Sequence, residues 1–238
     1  MPPLRRVCVF CGSSSGHRAE YRASVERLAA ELAARGIGLV FGGGAVGLMG
    51  VLADAMLAAG GHAVGVIPNA LVARELAHHG LSDLRIVASM HERKATMADL
   101  SDAFIAAPGG FGTFEEFCEA VTWTQLGLHE KRCGLLNVAG FYDPLLHLFD
   151  RAVAEGFIRP VGRAIVVSHD DPARLLDLLA EPLTHHEPPR DPQGLAAPQS
   201  GDPANSGSPP AKQSRFLEWS VAGHRLRPAE RGKANAAA

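Results

Sequence analysis

One stretch near the middle of the chain constrains the fold more than any other, because it joins a strand, a glycine turn and a helix. Residues 103–107 are predicted as a buried strand, 108–112 as a glycine turn, and a helix is predicted to begin at Thr113. Glycines let a ligand approach the backbone closely, and a helix start offers unpaired N–H groups with a partial positive charge. Glu115 and Glu116 fall in the predicted first turn of that helix. The sequence therefore predicts an anion site with acids beside it, which is typical of a phosphorylated substrate that is acted upon.

The rest of the chain alternates short apolar strands with helices. The strands lack a polar alternation, which is typical of a parallel sheet that is covered by helices on both faces. Ligands of such sheets bind at the carboxyl ends of the strands, where the Gly/Ser-rich turns of this chain fall. The predicted fold class is therefore α/β, a doubly wound parallel sheet with helices on both faces. The predicted strands span residues 6–11, 38–41, 62–67, 84–88, 103–107, 133–138 and 164–167, and the predicted helices span 19–35, a segment ending near 59, 71–78, 91–100, 113–126, 144–155 and 172–180.

Length and composition allow one large domain followed by a tail. The chain has 238 residues, of which 47% are apolar, so a full core is available. The composition changes after Glu181, where residues 182–214 are rich in Pro, Gly, Ser and Ala and have little to bury. We therefore expect a folded domain over 1–181 and a disordered tail over 182–238. The basic end of that tail is expected to be solvated rather than to form a docking or nucleic-acid arm.

Charge and hydropathy disfavour several classes of partner. A net charge of −2 gives no global attraction to nucleic acid or to an anionic membrane. No apolar run approaches the roughly 18 residues that span a bilayer. The first residues enter a strand at once and lack the apolar stretch and cleavage site of a signal peptide. A cytoplasmic protein with no nucleic-acid or membrane partner is expected.

The pair Cys8-x-x-Cys11 has the spacing of a redox or metal site. In a strand, positions i and i+3 point to opposite faces, so the two thiols could meet only if Cys11 lay past the strand end. No second CxxC and no suitably spaced histidine accompanies the pair. Small buried apolar roles are therefore predicted, and neither a metal site nor a cofactor is expected.

The glycines of Gly42-x-Gly44-x-x-Gly47 follow a strand and precede a helix, as a dinucleotide-binding fingerprint does. That fingerprint also needs an acidic residue about 20 positions on, at the end of the next strand, to hold the ribose. Here the next strand ends at Ile67-Pro-Asn69 without an acid, and the motif follows the second strand rather than the first. The pattern therefore favours a turn used for close packing, or as part of a pocket wall, over an NAD site.

Thr113-x-x-Glu116 allows two interpretations. It has the form of a capping box, in which Thr and Glu satisfy each other's backbone donors at a helix start. The glycines before it, the second acid inside it and the basic pair Arg93-Lys94 favour a ligand site, because capping requires none of them. Lysine is scarce in this chain, and the basic pair is predicted at the start of a helix near the strand ends, which favours a ligand role over a solvated face.

Taken together, these residues resemble the LOG ("lonely guy") family of cytokinin riboside 5′-monophosphate phosphoribohydrolases. The segment Pro108-Gly-Gly-Phe-Gly-Thr-Phe-Glu-Glu116 fits the family pattern PGGxGTxxE at every fixed position, and Met90-His-Glu-Arg-Lys94 fits its MHxRK segment. The resemblance runs from about residue 7 to about residue 179, with further matches at 9–14, 42–50, 122–127 and 134–137.

The resemblance implies a Rossmann-like domain that forms a homodimer. It implies an N-glycosidase that cleaves AMP, or AMP with an N6-prenyl group, into free base and ribose 5-phosphate; whether the prenyl group is required stays open. Arg93 and Glu116 match the family's proposed catalytic pair. The positions that match its nucleotide-binding residues are Glu75, Arg93, Lys94, Gly110, Phe111, Gly112, Thr113, Phe114, Glu115, Glu116 and Thr122.

This reaction suits the residues. Breaking a glycosidic bond passes through a state with positive charge at the sugar carbon. The carboxylate of Glu116 could stabilise that charge or orient the attacking water. We expect Glu115 to orient the ribose hydroxyls, and the phosphate to be held by N–H groups of 112–114 with Arg93 or Lys94.

Other functions are weighed beside the hydrolase. The alternative is a non-catalytic Rossmann-like module that carries or senses a nucleotide or cofactor, and an NAD-dependent oxidoreductase is disfavoured by the missing ribose acid. An older "lysine decarboxylase" label of some family members finds no support, since Lys94 already belongs to the basic pair.

Overall fold

The computed structural model of the chain describes residues 4–72 and 77–183. The strands are β1 (Arg6–Phe10), β2 (Gly38–Phe41), β3 (Ala63–Pro68), β4 (Asp83–Val87), β5 (Ala103–Ala106), β6 (Cys133–Leu136) and β7 (Val166–His169). The helices are α1 (Ala19–Ala34), α2 (Gly47–Ala58), α3 (Met90–Asp99), α4 (Phe111–Gln125), α5 (Asp143–Ala154), α6 (Pro160–Arg163) and α7 (Pro172–Ala180), with short 3₁₀ turns at Asn69–Leu71 and Val138–Gly140.

All seven strands form one sheet in the order β4-β3-β2-β1-β5-β6-β7, and every neighbouring pair is parallel. β1 lies between β2 and β5, with Val7 opposite both Leu39 and Ala103. The winding of the chain therefore reverses at β1, and the connections that leave β1 and β5 run to opposite faces. Such a reversal opens a crevice at the carboxyl ends of the two strands. The predicted α/β doubly wound parallel sheet is confirmed.

The sheet separates two apolar cores. On what we call the first face, α1, α2 and α7 pack against alternate strand residues such as Val7 and Val9. On the second face, α3, α4 and α5 pack against the residues between them, such as Cys8 and Phe10. The period of two along each strand thus supplies one apolar surface to each layer of helices.

The two thiols of the CxxC pair confirm the expectation for a strand. Cys8 belongs to the core of the second face and Cys11 to the core of the first, and both are buried and free. Burial raises the pKa of each thiol above its ordinary value, and the negative charge of Glu116 raises it further. These cysteines act as small apolar residues. In the described ranges, no group of three or more His, Cys, Asp or Glu side chains is arranged to hold a metal ion.

Several local predictions need correction. α4 begins at Phe111, two residues before the predicted Thr113, so Glu115 and Glu116 lie in its second turn. The helix predicted over 71–78 is wrong in its described part, because a 3₁₀ turn ends at Leu71 and Ala77 instead bridges to Gly44. The boundaries of the other predicted elements differ by no more than two residues, and α6 was not predicted.

Two predictions concern residues beyond the described ranges. The tail from 184 to 238 lies outside them, as does Glu75, so the division into a domain over 1–181 and a tail stays a prediction. None of the helices in 4–72 and 77–183 has the length and apolar character needed to cross a bilayer.

Candidate active site

Three glycine turns meet at the carboxyl ends of β1, β2 and β5. The N–H of Gly12, after β1, donates to the carbonyl oxygen of Pro108 at 3.1 Å, and the N–H of Leu48, after β2, donates to the oxygen of Gly12 at 3.0 Å. Gly47 has a φ of +59° and no room for a side chain, since a Cβ there would lie 2.2 Å from the carbonyl carbon of Ser13. Backbone contacts therefore join the three turns into one continuous surface, which we call the floor of the site.

The start of α4 stands on this floor. A Cβ at Gly109 would lie 2.1 Å from the hydroxyl oxygen of Thr113 and 2.9 Å from the nitrogen of Gly12, so only glycine permits the approach. Thr113 is thus a buried residue of the first helical turn. The residue that precedes the helix is Gly110, which has no side chain to cap it. The capping-box interpretation of Thr113 and Glu116 is therefore excluded.

An uncapped helix start provides hydrogen-bond donors. The first N–H groups of a helix have no acceptor within it, and the first intrahelical bond of α4 runs from Phe114 N–H to Gly110 at 3.1 Å. The available donors consequently come from 110–113 rather than from the predicted 112–114. A Cβ at Gly110 or at Gly112 would meet nothing within 4 Å, so there is open space beside both glycines at this helix start. Phe111, which is 92% exposed, stands at its edge.

Arg93 of α3 is buried beside the turn after β2. One guanidinium nitrogen, Nη2, donates to the carbonyl oxygen of Gly42 at 3.0 Å, and a Cβ at Gly42 would lie 2.1 Å from that nitrogen. Gly43, with a φ of +75°, lies against β3, where a Cβ at Gly65 would be 2.7 Å from its Cα. The glycines after β2 are therefore used for close packing, as one of the two interpretations predicted.

Arg93 and Glu116, the predicted catalytic pair, are brought to the same region. Besides burial, the thiol of Cys8 has its pKa raised by the charge of Glu116 and lowered by the charge of Arg93. The pKa of the Cys11 thiol is also raised by burial and by Glu116. The hydrogen bond to Gly42 places the guanidinium of Arg93 at the carboxyl end of β2, next to β1, and Glu116 lies in the second turn of α4, which follows β5.

Lys94 occupies a different position from its neighbour. Its ammonium donates to Oε1 of Glu115 at 2.7 Å and lies 2.8 Å from Oε2 of Glu119. Burial would lower the pKa of Lys94, but the hydrogen bonds and charges of the two carboxylates outweigh it and raise that pKa. Lys94 therefore stays charged and is paired with two acids. Sequence reasoning missed Glu119, although its position four residues after Glu115 places the two on one helix face.

The remaining predicted positions line or support α4. Thr122 donates its hydroxyl to the carbonyl oxygen of Cys118 on the same helix at 2.7 Å. Phe114 packs against Phe141 and Tyr142, with ring centroids 6.3 Å apart in both cases. Tyr142 is buried, and its hydroxyl donates to the oxygen of Ala107 just before the glycine turn, at 2.8 Å. No sequence motif marked this tyrosine as a support of the turn.

The fold and the site define a class before any relative is considered. A doubly wound parallel sheet, with an uncapped helix start and a buried arginine near its reversal point, defines a Rossmann-like α/β protein with a candidate anion site. The sequence model of the family described as "Possible lysine decarboxylase" matches residues 49–179.

Relatives narrow the class to a family. The probable cytokinin riboside 5′-monophosphate phosphoribohydrolase LOGL2 of Oryza sativa subsp. japonica is 46% identical over 223 residues, which are 94% of this chain and 91% of that protein. The cytokinin riboside 5′-monophosphate phosphoribohydrolase LOG1 of Arabidopsis thaliana is 49% identical over 184 residues, 77% of this chain and 86% of that protein. The chain belongs to the LOG family, as its motifs indicated.

Solved structures of low identity share the fold. The molybdenum cofactor carrier protein of Chlamydomonas reinhardtii superimposes with a TM-score of 0.57 at 20% identity, over 74% of this chain and 98% of that one. The molybdenum cofactor binding protein of Rippkaea orientalis gives a TM-score of 0.53 at 19% identity, over 74% and 94% of the two chains. At these identities the likeness supports the Rossmann-like fold alone.

Proposed function

We propose that this protein hydrolyses the N-glycosidic bond of adenosine-type 5′-monophosphates, including N6-prenylated cytokinin nucleotides. Water adds to the sugar carbon, the carbon–nitrogen bond breaks, and the products are the free base and ribose 5-phosphate. The observation that carries the proposal is the open, uncapped start of α4 next to a buried region with Arg93 and Glu116. The names of the plant relatives support the same reaction.

The phosphate is held by the N–H groups at 110–113. They lie at the positive end of the α4 dipole, which favours an anion, and the space beside Gly110 and Gly112 is open. Arg93 supplies a fixed positive charge at the same edge of the sheet, which offsets part of the negative charge of Glu116 and the phosphate. Holding the phosphate fixes the sugar relative to the acid, and positioning of this kind supplies several kcal/mol of a barrier.

Glu116 acts on the sugar carbon. As the glycosidic bond lengthens, positive charge develops there, and a carboxylate stabilises that charge or orients the attacking water. Glu115, which is 56% exposed and held by Lys94, orients the ribose hydroxyls. Phe111 at the edge of the open space offers an apolar surface to the base.

The decarboxylase description of the family model finds no match in the described lysines. An imine-forming lysine needs a lowered pKa and access to substrate. Lys94 has a raised pKa and two carboxylate partners. Lys131 has a pKa lowered by burial, but it precedes β6, at the opposite end of the sheet from the glycine turns, and donates to the oxygen of Ala98.

The test is base release. AMP and isopentenyladenosine 5′-monophosphate are incubated with the wild type and with Glu116→Gln, and free base is measured by chromatography. We expect release by the wild type and a loss of about 10²-fold or more in the variant. Glu26→Gln, which removes a surface ion pair with Arg22 on α1, is the matched control and should keep full activity.

The outcomes distinguish the two candidate functions. The rates for the two nucleotides show whether a prenyl group is required. Cleavage of isopentenyladenosine 5′-monophosphate alone would mean that it is, and cleavage of AMP would mean that it is not. If neither nucleotide yields base although both still bind, the hydrolase proposal fails. The protein would then be a non-catalytic nucleotide or cofactor carrier, the function that the molybdenum cofactor carrier carries in its name.

A homodimer and a cytoplasmic location are part of the proposal. Helices α1, α2 and α7 expose no large apolar side chain, whereas α3, α4 and α5 expose Met90, Phe111 and Leu148. α5 also has no fully buried residue. A second copy would cover this surface. Light scattering after gel filtration should give about 50 kDa, twice the 25.1 kDa of one chain, and a value near 25 kDa would contradict the dimer.

A further inference from the structure

The ammonium of Lys94 bridges two acids of α4, and one of them has no role in the proposed reaction. Glu115 and Glu119 lie four residues apart, on the same face of the helix as Thr122. The exposed fraction of the side chain is 12% for Lys94, 27% for Glu119 and 56% for Glu115. Lys94 is thus the most buried of the three side chains and Glu115 the most exposed.

The arrangement leaves one oxygen of Glu115 available. Lys94 binds its Oε1, and no hydrogen bond from the residues of 4–72 or 77–183 reaches its Oε2. The cluster has one positive and two negative charges, so it carries a net negative charge and disfavours a phosphate. An ionised carboxylate only accepts hydrogen bonds, so the ligand group that it faces must be a donor. On a nucleoside monophosphate, the ribose hydroxyls are the donors closest to the bond that breaks.

We propose that Glu119 is a positioning residue that acts through Lys94 on Glu115, and that the cluster selects ribonucleotides over 2′-deoxyribonucleotides. The proposal rests on the proposed function. Glu119 holds one N–H of the ammonium, which keeps Lys94 on Oε1 of Glu115 and turns Oε2 toward the 2′-hydroxyl. Without Glu119, the freed N–H group can bind the second oxygen of Glu115 or turn to the phosphate, and the acceptor for the sugar is lost.

The test is the ratio of kcat/KM for AMP to that for 2′-deoxy-AMP. We expect the wild type to prefer AMP, and Glu119→Gln to lower the ratio about 10-fold, the effect of losing a hydrogen bond to a charged group. Glu115→Gln should lower it by a similar factor. The double variant should lose little more, because the two residues act on one hydroxyl through one lysine.

Two further results complete the test. Glu26→Gln, the surface variant on α1, should keep the wild-type ratio. A loss of activity in Glu119→Gln that is equal for both nucleotides, or a lowered melting temperature with an unchanged ratio, would overturn the proposal and leave Glu119 a structural residue. Additive effects of the two substitutions would also contradict it.

The failure of the proposed function can be recognised separately. If the wild type releases base from neither nucleotide, the same variants are compared by calorimetric titration with AMP and 2′-deoxy-AMP. A ratio of the Kd for 2′-deoxy-AMP to the Kd for AMP that falls in Glu119→Gln supports ribose selection without hydrolysis. An unchanged ratio of Kd values overturns it.

Discussion

The two faces of the sheet differ in what they bury. The core of the first face is apolar, with Leu28 and Leu32 of α1 fully buried. The second face buries Arg93 and Thr113 and exposes Met90, Phe111 and Leu148. Both faces thus have an apolar core, and the second face also carries the candidate chemistry. Burying charge costs free energy, which the hydrogen bond of Arg93 to Gly42 and the apolar packing of the domain offset.

The largest expected effect concerns the core of the first face. Leu28→Ala removes a fully buried side chain from α1 and should lower the free energy of unfolding by about 2–5 kcal/mol. Leu148→Ala on α5 removes a side chain that is 61% exposed, and it should change the free energy of unfolding of a single chain by less than about 0.5 kcal/mol. Urea titrations of both variants measure the difference.

The same titrations can contradict the expected difference between Leu28→Ala and Leu148→Ala. Equal losses for both variants would show that Leu148 is packed as well as Leu28, contrary to its exposure. A loss for Leu148→Ala that grows with protein concentration would instead indicate that a second copy covers α5.

The second effect concerns pH. Burial and the charge of Lys131 lower the pKa of His129 from 6.5 to about 4. Between these values the unfolded chain binds a proton that the folded chain does not, so stability is lost as the pH falls from about 6.5 to about 4. The full loss is roughly 3 kcal/mol. His129→Asn keeps an acceptor near Nδ1 for the N–H of Lys131 and should remove this part of the pH dependence.

Unfolding in urea at pH 7, 5.5 and 4 tests this origin. The stability difference between wild type and His129→Asn should change in favour of the variant as the pH falls. An unchanged difference across the three pH values would assign the acid sensitivity of the second face to other groups.

The smallest effect separates two adjacent glycines. Gly109→Ala brings a Cβ against Thr113 and the backbone of Gly12, so it should lower stability by about 1–3 kcal/mol and disturb the floor of the site. Gly110→Ala meets no atom within 4 Å and should lower stability by only about 0.5 kcal/mol, since alanine is a poorer residue before a helix. Its methyl group enters the space proposed for the phosphate.

Kinetic measurements complete the comparison of the two glycine variants. Gly110→Ala should raise KM with little change in melting temperature, and Gly109→Ala should lower the melting temperature. If Gly110→Ala leaves KM unchanged, the phosphate does not bind in front of α4.

The sequence predicts much of the architecture because local periodicity carries it. Apolar runs such as 38–41, which the structure reproduces as β2, are short and bounded by glycines, and α7 also has its predicted bounds. The alternation of a strand predicted that Cys8 and Cys11 face opposite cores, and they do, although β1 ends at Phe10, one residue before Cys11. The LOG motifs likewise lie within short continuous segments, so one sequence suffices to recognise them.

The details of the site depend on contacts between distant segments. Thr113 was predicted to start α4, but it packs against Gly109, and the helix begins at Phe111. The glycine at 42 is needed because Arg93, 51 residues later, fills the space of its side chain.

The sequence by itself determined the alternation of elements, the parallel sheet and the family, since each depends on residues near one another in the chain. Only the tertiary structure decided which N–H groups are open, that Lys94 is bound by Glu115 and Glu119, and that Tyr142 supports the turn. Those contacts join α3, α4 and β5 across the sheet's reversal point. No spacing along the chain encodes them.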